Sequence, residues 1–562
     1  MLLSNLNLLA TASGGVARLR ELILTLAVQG KLVAQDPKDE PASELLKKIR
    51  AEKDRLIAAG KIKQGKPLAE IGAVEKPFEL PVGWVWQALA EVGAWAIGSG
   101  FPHEAQGREG LPILFAKVSD MNLPGNELEI VRTNHTIDDE TVERLRINVH
   151  QQGTVIFPKI GGAIATNKRR ILVRPTAIDN NCLGITPSPV ISTSYLFLLL
   201  SSIDFTVYQA GTSVPALSQG TLGQIPVGLP PFAEQSRIVT RVEELMRLCD
   251  ALEAKGQLEA TQHAQLVSTL LATLTDSEKP AQLTENWHRI ATHFDLLLDR
   301  PEAVDALEQT ILQLAVRGLL VPQNPQDEPA SVLLKKIRTE KDNLVADGKI
   351  KRDKPLPQIA EDEQPFPLPS GWEWVRLADV WLSSFYGPRF GNEEYVSEGG
   401  IPTIRTTDMS NGQIVLKRPP MVNIPLDKYD AYLVRKGDLL VTRSGSIGAM
   451  ALFNLDMDAV PSAYLIRLRF PELMSSSYCF EYFLSELGQS QLGLNTTAVG
   501  VPNVSASKMA EFVFPLPPLA EQSRIVTRVA QLRRLCADLR QRLSASQSTQ
   551  AHLAEALVQE VA

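Results

Sequence analysis

Apolar residues recur at helical spacing in two segments of the chain, near positions 240 and 530. In the first segment they alternate steps of four and three, at Ile238, Val242, Leu245, Cys249 and Leu252. The second segment repeats these steps 287 positions later. This spacing places apolar side chains on one face, so each segment is predicted to form a long helix with a coiled-coil seam. The first helix is predicted over about 233–274, roughly 60 Å at the usual helical rise.

Nearly the same sequence precedes each predicted long helix, LPPFAEQSRIVTRV from Leu229 and LPPLAEQSRIVTRV from Leu516. Further upstream, LAVQGKLVAQDPKDEPASELLKKIRAEKD from Leu26 matches LAVRGLLVPQNPQDEPASVLLKKIRTEKD from Leu314 at a constant offset of 288. Apolar spacing here predicts shorter amphipathic helices, including a pair at about 42–59 and 330–347. The chain is therefore interpreted as a tandem duplication of one whole domain plan.

Two blocks between the duplicated segments have a different pattern, and we name them the first insert (87–228) and the second insert (375–515). Apolar runs such as GTVIFPKIG and GDLLVTRSG, bounded by turn-forming residues, are typical of strands. The inserts match only faintly, for example at KVSDM (from Lys117) and RTTDM (from Arg405). The remaining predicted regions are proximal helices at 1–86, a central region with the first spacer helix and the second proximal helices at 229–374, and a C-terminal spacer helix at 516–562.

The predicted fold class is α+β: two α/β globular inserts separated by long antiparallel coiled-coil helices, in a pseudo-twofold tandem duplication. If the long helices pair antiparallel, the inserts lie at opposite ends of a rod. Twofold proteins bind DNA half-sites separated by turns of ~34 Å, and a rod of this length could span one to two turns. Two unlike inserts on one frame suggest that two different features are read at a fixed separation.

Composition and charge narrow the class of protein. The 562 residues are 44% apolar, which suggests several soluble domains. The four cysteines form no CxxC pair, which favours a reduced, cytoplasmic chain. We expect no membrane association, since no apolar run approaches the ~20 residues that cross a bilayer. A net charge of −7 excludes a chain that coats nucleic acid along its whole surface, but it allows local basic patches.

Several enzyme-like motifs are incomplete, so we expect no catalytic residues and no metal site. GKIKQGKP, from Gly60, has Pro67 where a P-loop carries Ser or Thr, and it follows a predicted helix. LPPF at 229–232 begins with Leu where adenine amino-methyltransferases carry Asn or Asp, and both copies more simply start helices. The seven histidines form no HExxH, and TRSGS lacks the GxSxG frame.

The chain resembles the specificity (S) subunit of type I restriction–modification systems. The resemblance rests on the paired LPP(F/L)AEQSRIVTRV and LP.GW.W segments and on GDLLVTRSGSIG, and it covers nearly the whole chain. It implies two target-recognition domains that each read half of a bipartite, asymmetric site in double-stranded DNA. It also implies helices that dock two methyltransferase (M) subunits and, through them, restriction (R) subunits. S-adenosylmethionine, ATP and Mg would then belong to the partners, with no cofactor in this chain.

Basic and polar loop residues of the inserts are the candidates for DNA contact, because Lys and Arg bind phosphates and polar side chains read bases. The candidates are Lys117, Lys159, Asn167, Lys168, Arg169, Arg170, Arg389, Arg405, Thr406, Arg443, Ser444 and Ser446. A solvated turn is the alternative for the basic run at 166–174. For the whole chain, the alternative is a pseudo-twofold scaffold that binds two copies of one protein and no DNA.

Overall fold

The computed structural model describes residues 6–58, 76–101, 103, 106–211, 214–277, 279–443, 449–493 and 504–561. The chain divides into two compact units, one of residues 1–258 with 547–562 and the other of residues 259–546. The two long helices span Phe232–Thr275 and Leu519–Val561. Each unit therefore contains the beginning of one long helix and the end of the other.

Unit 1 combines the first proximal helices with the first insert. Its helices before the first long helix are α1 Leu6–Thr11, α2 Gly15–Val28, α3 Ala42–Ala58, α4 Asp139–Leu145, α5 Thr193–Ser202 and α6 Gln219–Gly223. Its strands are β1 Val85–Ala88, β2 Gly93–Ile97, β3 Ile113–Ala116, β4 Glu129–Ile130, β5 Thr136–Ile137, β6 Val149–His150, β7 Val155–Pro158, β8 Arg170–Leu172, β9 Thr176–Ile178, β10 Cys182–Pro187 and β11 Pro226–Leu229. The first long helix is α7.

Unit 2 repeats this plan. Its helices are α8 Pro280–Thr292, α9 Phe294–Leu297, α10 Pro301–Val316, α11 Ala330–Ala346, α12 Leu377–Val380, α13 Tyr429–Tyr432, α14 Ser476–Leu484, α15 Glu486–Leu492 and α16 Ala506–Ala510, and the second long helix is α17. Its strands are β12 Glu373–Arg376, β13 Ser383–Tyr386, β14 Tyr395–Val396, β15 Ile401–Ile404, β16 Met409–Ser410, β17 Gln413–Ile414, β18 Met421–Val422, β19 Leu439–Thr442, β20 Met450–Leu452, β21 Val460–Pro461, β22 Leu465–Arg469 and β23 Val513–Leu516.

The two inserts share a strand topology although their sequences have diverged. In the first insert, β1 pairs antiparallel with β11, and a sheet runs in the order β2-β10-β7-β8-β4. The second insert has the equivalent β12–β23 pair and a sheet in the order β13-β22-β19-β20. A parallel pair, β3 with β9 or β15 with β21, completes the likeness. The predicted tandem-duplicated α+β fold is confirmed.

The seam residues of each long helix lie in the main hydrophobic cluster of a unit. In unit 1, Ile238, Val242 and Cys249 are buried in a cluster that includes Ile23 of α2 and Leu196 of α5. In unit 2, the matching residues of α17 share a cluster with the side chains of α10 and α14. The apolar stripe thus fixes each long helix to its proximal helix and its insert. Within the described segments, no helix is both long and apolar enough to cross a membrane.

A set of polar contacts, which we name the helix-start clasp, holds the beginning of each long helix. In unit 1, Glu234 accepts hydrogen bonds from Trp84 Nε1 at 3.0 Å and from Gln35 Nε2 at 3.1 Å. In unit 2, Glu521 accepts from Trp372 Nε1 at 3.0 Å and from Gln323 Nε2 at 2.7 Å. Burial raises the pKa of both carboxyl groups.

The neighbouring residues of the repeated AEQSR sequence also have equivalent partners in the two units. Gln235 Oε1 accepts a hydrogen bond from the backbone of Ser192 at 2.8 Å, and Gln522 Oε1 accepts one from Ser475 at 2.9 Å. The arginine two positions further along pairs with an aspartate in each unit, Arg237 with Asp39 and Arg524 with Asp327. The fourteen-residue repeat therefore encodes one joint that is built twice.

The segment at 276–301, for which the sequence analysis gave no element, is largely helical. Helices α8 and α9 occupy most of it, and Ile290, Leu297 and Leu298 are buried in the main cluster of unit 2. Asn286 Nδ2 donates to the carbonyl oxygen of Thr273 at 2.9 Å, near the end of α7. The segment therefore packs against the last turns of the first long helix.

Candidate nucleic-acid interface

The faint match between KVSDM and RTTDM corresponds to the same turn in both inserts. After β3, Asp120 Oδ2 accepts a hydrogen bond from the backbone of Lys117 at 2.7 Å. After β15, Asp408 Oδ2 accepts one from the backbone of Arg405 at 2.8 Å. Both aspartates are buried. The turn thus presents a basic residue at the same place in each insert, a lysine in one and an arginine in the other.

Three predicted residues of the first insert surround this turn. Lys117 Nζ donates to Gln106 Oε1 at 3.2 Å and lies 4.9 Å from the ring centroid of Phe101. Lys168 Nζ donates to the side chain of Asn122, at the end of the turn. Arg170 donates to the carbonyl oxygen of Met121 at 2.9 Å, also within the turn. The structure therefore gathers Lys117, Lys168 and Arg170 at one turn, and we name these three residues the basic patch.

Arg169 is a correction to the predicted DNA-contacting residues. Its side chain is only 2% exposed, and its guanidinium donates to the carbonyl oxygen of Leu200 at 3.0 Å and to Asn167 Oδ1 at 2.7 Å. It also stacks 4.1 Å from the ring centroid of Phe205. Burial lowers the pKa of Arg169 to about 9. The cation faces inwards and fixes the turn to α5, so it is not a surface residue.

Asn167 and Lys159 lie beside this arrangement. Asn167 is exposed and has a left-handed backbone with φ of 48°, and its side-chain amide donates to the carbonyl oxygen of Ser201 at 3.0 Å. It shapes the turn as well as presenting an amide. Lys159 follows β7, and its backbone bonds to Asn181 and Leu217 hold it half-buried.

In the second insert, Arg405 forms a two-point ion pair with Asp408. Its Nε lies 3.0 Å from Oδ2 and its Nη2 lies 2.7 Å from Oδ1. Asp408 therefore offsets much of the charge that Arg405 could offer to a phosphate. Thr406 is half-buried in the same turn. The predicted residues Ser444 and Ser446 lie outside the described residues, as does the P-loop-like stretch from Gly60.

Arg389 and Arg443 line a cleft of about 550 Å³ in the second insert. Both arginines were predicted from the sequence, but the rest of the lining, which comes from four separate stretches of chain, was not. These other residues are Pro388, Phe390, Tyr395, Thr403, Ser462, Ala463 and Tyr464. The local signal was aromatic residues in polar loops, and two separate strand pairings, β15 with β21 and β19 with β22, were needed to bring the lining together.

Comparisons of the sequence with known proteins point to one family. A family model for the type I restriction modification DNA specificity domain matches residues 121–262 and 369–546. The specificity subunits of the type I restriction enzymes EcoAI and EcoEI of Escherichia coli are each 36% identical to the chain, over 97% of it and 93% of their own length. The HsdS subunit from Thermoanaerobacter tengcongensis aligns with a TM-score of 0.40 at 19% identity, over 87% of this chain and 98% of that one.

A duplicated frame that carries two unlike inserts is typical of a protein with two different recognition domains. The matches over nearly the whole chain identify which kind. The chain belongs to the family of specificity subunits of type I restriction–modification systems.

Proposed function

We propose that this chain reads a bipartite, asymmetric site in double-stranded DNA, one half-site with each insert. The observation that carries the proposal is that the inserts share a strand order yet present different surfaces. The first insert has the Lys117, Lys168 and Arg170 patch, and the second has the cleft with Arg389 and Arg443. Basic groups position a protein on the DNA backbone, and different polar surfaces select different bases.

We also propose that the long helices dock two copies of one partner, the methyltransferase subunit. Large apolar side chains stay exposed at equivalent positions of α7 and α17. Leu248 is 59% exposed and its counterpart Leu535 is 63% exposed, and Leu266 and Leu553 are both 52% exposed. Exposed apolar residues that recur at matching positions are typical of a repeated docking surface. Restriction subunits would join through the methyltransferase subunits.

In this proposal the chain is the non-catalytic, cytoplasmic recognition subunit of an adenine-N6 methyltransferase and endonuclease complex. S-adenosylmethionine, ATP and Mg would be held by the partners. The target adenine must leave the base stack to be methylated, and this extrusion would take place in the methyltransferase subunit. The specificity subunit would supply only the position on the DNA.

The proposal is tested by exchanging one insert. The chain is purified with its methyltransferase partner, and its site is taken from the methylated sequences of the host genome. We expect site-specific binding that weakens with salt, as counterion release requires. Replacing residues 87–228 with the first insert of a relative should change one half-site only. If the exchange changes neither half-site, or if the chain binds its partner but shows no salt-sensitive DNA affinity, the alternative function as a protein-binding scaffold is favoured.

A further inference from the structure

The cleft of the second insert is concave, basic and lined with aromatic residues. It lies where Pro388–Phe390, the strand β15, Arg443 and the turn Ser462–Tyr464 meet. The side chains of Tyr395 and Tyr464 are exposed at this cleft. No acidic residue is found among the described residues that line it. Its charge therefore favours an anionic ligand.

Arg443 is held by an aromatic ring and a backbone bond, and no carboxylate pairs with it in the described part of the chain. Its guanidinium lies 5.0 Å from the ring centroid of Tyr386, whose hydroxyl oxygen accepts a hydrogen bond from the backbone of Ala506 at 2.8 Å. The backbone nitrogen of Arg443 donates to the carbonyl oxygen of Tyr464 at 2.9 Å. A stacked guanidinium keeps its planar edge free for a two-point contact, and it loses little freedom when that contact forms.

Two hydroxyl groups at the cleft wall lack partners among the described residues. Thr403 is 2% exposed, and in the described part of the chain neither Thr403 Oγ1 nor Ser462 Oγ has a hydrogen-bond partner. The backbone nitrogen of Thr403 donates to Pro420 and that of Ser462 donates to Ile404, so both residues are fixed. A buried hydroxyl without a partner destabilises the fold, and a bound acceptor would restore its hydrogen bond.

At the equivalent place of the first insert, the described residues include larger and acidic side chains. The shared turn aligns Thr403 with Phe115, which is fully buried and stacks on Phe101 with ring centroids 3.7 Å apart. The same close approach of a glycine to a facing carbonyl occurs in both inserts, at Gly98 against Asp179 and at Gly387 against Ser462. Ser462 therefore corresponds to Asp179. Phe115 and Asp179 thus stand where the second insert has its two hydroxyl-bearing residues, whereas Phe101 corresponds to Phe390 of the cleft. The cleft distinguishes the two inserts.

We propose that the cleft binds one backbone phosphodiester of the DNA half-site read by the second insert, with Arg389 and Arg443 as the phosphate ligands. The inference rests on the proposed DNA-reading function and names the residues that position its second half. Phosphates protrude from a duplex and fit a concave site, whereas base edges lie at the floor of a groove and are read by side chains that project. Tyr395 and Tyr464 would then flank the adjoining sugar.

The test measures DNA affinity of the complex with its methyltransferase partner across a salt series. Arg389→Gln and Arg443→Gln should each weaken binding roughly tenfold, and each should reduce the slope of log affinity against log salt by about 1. The loss should be equal for the cognate site and for sites with single base changes in the second half-site. Arg435→Gln, an exposed arginine outside the cleft, is the matched control and should change neither quantity.

A second variant fills the cleft without removing charge. Thr403→Phe copies the first insert, and we expect it to weaken DNA binding about as much as either arginine variant while the unfolding midpoint stays near that of the wild type. Unchanged salt slopes in both arginine variants would overturn the proposal. Relaxed preference at one base pair would also overturn it, since the arginines would then read a base.

Two further results separate this proposal from its neighbours. Micromolar binding of inorganic phosphate that duplex DNA does not displace would identify a free-anion site and overturn the inference. If the wild-type complex itself shows no salt-sensitive, site-specific binding, the proposed DNA-reading function fails. If the wild type binds its site and only the cleft variants lack an effect, the function stands and the cleft proposal alone is lost.

Discussion

The proximal helix and the long helix form an ion pair in both copies of the frame, but the positive and negative residues are interchanged between the copies. Exchanging these charges by mutation tests what the ion pair contributes. In unit 1, Arg20 of α2 pairs with Glu253 of α7 at 2.8 Å and with Asp250 at 2.6 Å. At the equivalent positions of unit 2, Glu308 of α10 pairs with Arg540 of α17 at 3.0 Å. The apolar positions of α2 and α10 are nearly the same, so packing alone cannot tell one proximal helix from the other. The opposite charges can, because an exchanged pairing would bring like charges together.

Replacing Arg20 with Glu should destabilise unit 1 by a predictable amount. The change removes two ion pairs with Asp250 and Glu253, which at this exposure contribute about 0.2–1 kcal/mol each. Arg20 is 32% exposed and its partners more so, so the new repulsions are worth about 1 kcal/mol each, as expected for charges about 4 Å apart in water. The free energy of unfolding should therefore fall by roughly 2–4 kcal/mol.

A triple variant supplies the matched control. Arg20→Glu with Asp250→Ala and Glu253→Arg reproduces the polarity of unit 2, where Ala537 stands at the position of Asp250. It should recover stability to within about 1 kcal/mol of the wild type, since one surface ion pair is restored. Urea unfolding of the full chain at low salt and at about 1 M salt measures both effects, and screening should shrink the single-variant loss. A triple variant as unstable as Arg20→Glu, or a loss that salt leaves unchanged, would refute this reasoning.

Two further predictions concern the clasp and the docking surface. Trp372→Phe should destabilise unit 2 by about 1–3 kcal/mol because it leaves the buried Glu521 carboxylate short of a hydrogen-bond donor. Trp381→Phe is the control: it removes a buried Nε1 that has no partner among the described residues, so it should lower the stability of unit 2 by less. Because the pKa of Glu521 is raised, its contribution to stability is present at low pH and is lost as pH rises through that pKa. The fall in the urea unfolding midpoint caused by Trp372→Phe should therefore be larger at pH 8 than at pH 5. Leu248→Glu should reduce the partner stoichiometry from two to one in light scattering, and Leu535→Glu added to it should abolish partner binding, with unfolding midpoints unchanged because both leucines are exposed.

The helices of the frame could be predicted from the sequence because their signal is local. The predicted bounds of α7 differ from those in the structure by one residue at each end. They were predicted from apolar steps of three and four, from the prolines before the first turn and from the internal repeat. The same pattern could not name the partner of the seam, since an apolar stripe packs equally well on any complementary face. Residues near Ile238 meet the proximal helix and the insert. The apolar spacing of Leu283, Trp287 and Ile290 marks the helix α8 in the segment that was given no element.

The candidate interface was harder to predict because it depends on which way side chains point. In the run TNKRRILVR, all the basic residues read alike, yet Lys168 and Arg170 bond to the 118–122 turn while Arg169 turns inwards onto α5. Lys168 and Arg169 precede β8, so their directions follow from the turn at Asn167, whose left-handed backbone the run does not reveal. The cleft requires still more, since Tyr395 and Tyr464 are distant in sequence and meet only through strand pairing.

The contacts between frame and insert explain how one can be kept almost unchanged while the other diverges. Gln235 and Gln522 accept hydrogen bonds from backbone nitrogens of the inserts, at Ser192 and Ser475. The strands that close each insert pair with each other through backbone bonds as well, at β1–β11 and β12–β23. A joint that recognises backbone atoms places little demand on the side chains beyond it. Loops and clefts can therefore change freely on a fixed support, which a protein with two different DNA-reading surfaces requires.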